Sequence, residues 1–157
     1  MQAAVARVRD HQVVFCGLEV LRLIGERVEE SHEVDVQDLR VVLSFMRDVA
    51  HRCLDNTEDI LRLARLDQNV AKHIQARSLL EELDQAEGLA FASACRSYTD
   101  LLSHLIFEDR QCLSSLDCDV VMLSQFYEWE RETADLARQH GHTLHRLEMK
   151  YTFPHCI

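Results

Sequence analysis

Three histidines and three carboxylates fall on helical stripes that are otherwise apolar: His11, Asp55, Asp59, His73, His104 and Glu108. Such groups are costly to bury unless each is paired or shares a cation. Imidazole with carboxylate and no thiolate is a donor set for iron, manganese or zinc rather than copper(I). At about 100° per residue, His11 sits within roughly 60° of Val8, Phe15 and Leu18. His73 keeps similar company with Val70 and Leu80, and His104 with Leu101. Glu108 follows His104 by one turn and lies closer to the centre of that stripe. Measured from Phe45, Asp59 falls roughly 40° to one side and Asp55 about 80°, with His51 and Glu58 at about 120° and 140°. A histidine on an apolar face also admits a plainer reading, a core side chain satisfied by hydrogen bonds.

The elements that must carry these residues are helices. Four glycines and one proline in 157 residues leave little material for tight turns, and apolar residues recur near every 3.6 positions. The periodicity predicts helix one over about 2–30 and helix two over about 36–66, capped by Asp35. Helix three is expected to about Ala86, helix four over roughly 89–113 and a fifth stretch over about 119–139, with turns at Asp67 to Asn69, Gly88 and Ser114 to Asp117. Gly141 is expected to end the fifth stretch before a short helix over 143–151. Short loops between long helices imply antiparallel neighbours. The expected fold is all-α: an up-down four-helix bundle with an additional C-terminal helical segment, one domain over 1–157. In such a bundle, residues equally far from a connecting loop share a level. His11 and Asp55 each lie about 20 residues from the first loop, and the pairs Asp59/His73 and His73/His104 match to within a few ångströms at about 1.5 Å per residue. Four helices are thus expected to deliver the six residues to one layer.

A net charge of −10 argues against nucleic acid or an anionic membrane surface as partner. No run of about 18 apolar residues is present, and the N-terminal stretch carries charges where an export signal needs an unbroken apolar core. A cytoplasmic location is expected. Six cysteines without a C-x-x-C pair read as reduced thiols, with Cys16, Cys53 and Cys95 as small core hydrophobes. His140, His142 and His145 read as solvated surface, with a second metal site as the alternative. The aromatic group Phe126, Tyr127 and Trp129 reads as packing of the fifth stretch.

The sequence resembles the hemerythrin-like, HHE cation-binding family over nearly its whole length. Asp10 to Val14, DHQVV, is similar to that family's opening E-H motif. Phe45 to Leu61, FMRDVAHRCLDNTEDIL, resembles its second-helix segment, in which His-His is followed by x-Lys-Glu-Glu. Lys72 to Arg77, KHIQAR, resembles its E-H-x-x-x-R, and His104 to Leu113, HLIFEDRQCL, its H-x-x-x-E-D. Leu54-Asp55 stands where the family has His-His, Glu58-Asp59 where it has Glu-Glu, and Thr57 at its Lys.

The resemblance implies a non-haem iron protein that binds, senses or reacts with O2, NO or peroxide, or handles iron. On that implication a di-iron centre, or another divalent metal, is bridged by Asp59 and Glu108, with His11, Asp55, His73 and His104 as terminal ligands. The partner is then a small diatomic molecule or peroxide, and the chain a monomer or homodimer. The altered second helix supports a different expectation: a degenerate bundle, holding one metal or none, that acts as an interaction or signalling module.

Overall fold

The computed structural model describes residues 2–63, 70–114 and 120–153; side-chain surroundings are described from Gln12 onward, except at 53, 60, 61, 63, 110, 112–114, 120–127, 129, 130, 133 and 134. Every element among the described residues is helical: α1 (Gln2–Glu29), α2 (Val36–Phe45), a π-helical turn (Met46–Ala50), α3 (His51–Leu63), α4 (Val70–Gln85), α5 (Gly88–Ser114) and α6 (Val120–Thr152). None of them is long and apolar enough to cross a membrane. The expected turn at Asp67 to Asn69 and most of the expected loop at Ser114 to Asp117 lie outside the described residues.

α2 begins where its cap predicts. The Asp35 carboxylate accepts the Gln37 backbone N–H at 2.8 Å, satisfying a donor that the first turn leaves orphaned. α2, the π-turn and α3 form one continuous rod. The expected helix two is therefore present, but with one extra residue wound into its middle.

The break expected at Gly141 does not occur, and α6 runs through it. A mid-helix glycine costs about 1 kcal/mol against alanine. Ala137, Leu144, Leu147 and Tyr151 are buried along the same helix, and each large side chain contributes more than that cost.

α1 is the central rod, lying against α5 and α6 and touching α2. Two glycines permit the approach. A Cβ on Gly17 would stand 2.6 Å from the Phe45 ring, and one on Gly25 would stand 2.8 Å from Cys95 Cβ. The core between the rods is closed by Leu21, Ile24, Phe45, Tyr98, Leu102 and Leu144, all essentially without exposure.

Polar ties fix how the rods meet. Asp38 on α2 accepts from Lys150 Nζ at 2.7 Å and from the Tyr151 hydroxyl at 2.6 Å. The Cys16 thiol of α1 donates to Glu148 of α6 at 3.0 Å. Burial and then the Glu148 carboxylate push that thiol up to about 12, so it is not a nucleophile near neutrality. Burial does the same to Cys95, again to about 12. Cys95 thus acts as the small core residue expected of it.

Candidate functional site: a buried polar layer

His73 lies on the inward face of α4 with Ala76, Leu80 and Leu83, and is only 1% exposed. Its Nε2 stands 2.9 Å from Asp109 Oδ2 on α5. On its other side, Nδ1 lies 3.3 Å from Glu58 Oε2 on α3, a close contact without hydrogen-bond geometry. Asp109 and Glu58 are 4% and 6% exposed. One imidazole from α4 is thus held between carboxylates from two other helices.

Cations complete the layer. Glu58 Oε1 accepts from Arg62 at 2.8 Å, and Oε2 accepts from Arg77 at 2.6 Å. The same Arg77 Nη2 reaches Asp55 Oδ1 at 2.5 Å, carrying the network from the interior to the surface. Burial would raise the Glu58 carboxyl, but the two guanidinium groups outweigh it and hold the group below its ordinary range. Burial would likewise lower His73. The bond to Asp109, with the charges of Asp109 and Glu58, prevails and raises it above the ordinary histidine value. The layer is a chain of alternating charge: Asp109, His73, Glu58, Arg77, Asp55.

A second buried histidine adjoins it. His51, the first residue of α3, has Nε2 2.8 Å from the Tyr98 hydroxyl, the two rings lying parallel. Burial pushes His51 down to about 4 and raises Tyr98, so both are neutral near pH 7.

Of the six residues expected to converge, His73 is in the interior. The His11 side chain lies outside the described residues. Asp55 and Asp59 are exposed. His104 points into water with its side chain 71% exposed, and its Nε2 is 3.4 Å from Glu108 Oε1. Glu108 is held by Lys72 Nζ, at 2.9 Å from each carboxylate oxygen. The interior positions belong instead to their sequence neighbours, Glu58 for Asp59 and Asp109 for Glu108.

Both displacements have a physical reason. On an uninterrupted α-helix, the face of Val42, Phe45 and Val49 continues through Arg52, Asn56 and Asp59. The π-turn inserts one residue, which rotates Arg52 and Asp59 off that face into water; beyond it the buried positions are Leu54 and Glu58, four apart on one side of α3. On α5 the buried stripe runs Tyr98, Leu102, Leu105, Asp109. Leu101 is only half-buried, and a stripe centred on it puts Glu108 in the place of Asp109. The steps of three and four residues from Tyr98 to Asp109 are the signal that finds the right carboxylate.

Imidazole and carboxylate suit a divalent metal by type. Among the described residues, however, no group of three or more His, Cys, Asp or Glu is arranged to hold one. Both oxygens of Glu58 already carry guanidinium partners. A dication beside Glu58 and His73 would face the fixed charge of Arg77 at close range. The described residues do not fit a two-metal centre. Comparison with known proteins returned no matching family model, no matching curated protein and no matching solved structure.

Proposed function

We propose that this chain is a hemerythrin-like helical bundle that serves as a non-catalytic binding or signalling module. In this reading, its own cations close the polar layer in place of a two-metal centre. The observation that carries it is Arg77 Nη2, 2.6 Å from Glu58 and 2.5 Å from Asp55. The carboxylate whose burial calls for a positive charge has one, supplied by the chain.

The pairings between rods support the bundle arrangement. Residues 55 and 58 of α3 meet 77 and 73 of α4. Residues 38 and 45 of α2 meet 150 and 140 of α6. In each pair one number rises as the other falls, the mark of antiparallel neighbours. By contrast, residues 16 and 27 of α1 meet 148 and 151 of α6, so those two rods run the same way. In this reading the alternating rods form a four-helix bundle, with α6 beside α1 as an added fifth helix.

A second reading rests on one atom. Among the described residues His73 Nδ1 is buried without a hydrogen-bond partner, and it faces Glu58 across 3.3 Å. A single divalent ion shared by Glu58 and His73 would satisfy it if Arg77 swung out to Asp55 alone. O2, NO or peroxide chemistry belongs to this reading, because the metal supplies it. The two readings separate on metal-dependent stability. In the first, ferrous iron, manganese and zinc leave the unfolding temperature of the wild-type chain unchanged. In the second, one of them raises it, and His73→Ala abolishes the rise.

A further inference from the structure

A cleft of about 500 Å³ opens between the π-turn and α6, within the ~300–1,000 Å³ span of small-molecule sites. Its charged groups divide into those already matched and those left over. Arg47 is bound to Asp84 at 2.5 Å, and Asp55 to Arg77 at 2.5 Å. Among the described residues Asp48 receives only the Ser44 hydroxyl, at 3.3 Å. Arg52 is exposed and, among the described residues, makes no hydrogen bond or ion pair.

Asp48 and Arg52 are four residues apart, the spacing that pairs acid with base on an α-helix. Here the π-helical turn spans Met46–Ala50 and α3 starts at His51. A wider turn does not stack residues four apart, so the two charges stay on the cleft wall without closing on each other. π-turns of this kind recur at functional sites. The facing wall, from α6, brings Leu136 and His140, whose ring packs edge-on against Phe45 at 5.5 Å.

One unmatched cation, one under-satisfied carboxylate and an apolar side chain line the same space. A plain anion would meet Asp48 and a plain cation would meet Arg52. We propose that this cleft binds a small zwitterion of the α-amino-acid class. Its carboxylate lies on Arg52, its ammonium on Asp48, and its apolar side chain against Leu136. The site is separate from His73, so it stands whether or not the polar layer takes a metal.

Calorimetric titration of the full chain with L-leucine, L-methionine and L-phenylalanine tests it, with the N-acetyl and amide derivatives of each as controls. Saturable binding is expected for at least one free amino acid. Removing either ligand charge should weaken it by about tenfold or more. Arg52→Gln and Asp48→Asn should each produce the same loss without moving the unfolding temperature, since both side chains are exposed. The proposal is overturned if none of the three saturates, if a derivative lacking one charge binds as well as its parent, or if either variant keeps wild-type affinity.

Discussion

His73 Nε2 lies 2.9 Å from Asp109 Oδ2, and neither residue is more than 4% exposed. Charge-assisted bonds of this kind are strong where water is excluded, and breaking one by removing a single partner strands the other. His73→Ala or Asp109→Ala should therefore cost about 3–5 kcal/mol. Replacing both by leucine should cost less than the sum of the two single changes, because both remove the same bond. Urea unfolding of the three variants, with an unchanged denaturant slope, is the measurement.

Glu58 and Asp55 share Arg77 but differ in burial. Glu58→Gln removes a charge from a site only 6% exposed, so a loss of about 1–3 kcal/mol is expected. Asp55→Asn acts on a side chain 53% exposed, where ion pairs are worth about 0–1 kcal/mol. Thermal unfolding at low and high salt separates them. The Asp55 effect should vanish in salt and the Glu58 effect should persist.

His51 is held down to about 4 by burial. A histidine depressed below its unfolded value of about 6.5 contributes stability that is present above that pH. The contribution is lost as pH falls from there through 4. The linkage amounts to about 3 kcal/mol. His51→Gln keeps a hydrogen-bonding partner for Tyr98 but cannot titrate, so its stability should fall less steeply than wild type between pH 6.5 and 4. His73 carries the opposite sign. Its raised pKa makes its contribution complete below about 6.5 and lost as pH rises through the folded value. Wild type and His73→Gln should therefore converge in stability at alkaline pH.

Gly25 admits Cys95, whose Cβ would lie 2.8 Å from an added methyl. Gly25→Ala gains about 1 kcal/mol of helix propensity but must push α1 off α5, at about 1–3 kcal/mol. The net loss should shrink in the Gly25→Ala, Cys95→Gly double variant. A double-mutant cycle on unfolding free energies gives the coupling.

Much of this architecture is legible in the sequence. The scarcity of glycine and proline and the 3.6-residue stripes mark the rods, and Asp35 marks the start of α2. The continuity of α6 is not legible, because a local rule about Gly141 is overridden by packing that only the assembled helices supply. The polar layer shows the same limit at finer grain. His73 is found from its own stripe. Glu58 and Asp109 are missed by one residue each: Asp59 is turned outward by a π-turn that leaves no compositional trace, and Leu101 is a poor marker of the α5 stripe's centre. The bridging role of Arg77 is a tertiary fact. It depends on α3 and α4 meeting at residues that no spacing in the sequence relates.

The central claim is that Arg77 and Arg62 supply the positive charge that buried Glu58 requires. Thermal unfolding of the wild-type chain, stripped with chelator and then supplied with ferrous iron, manganese or zinc, tests it directly. An unfolding temperature that none of the metals moves is the predicted result. A metal-dependent rise that disappears in His73→Ala would contradict it.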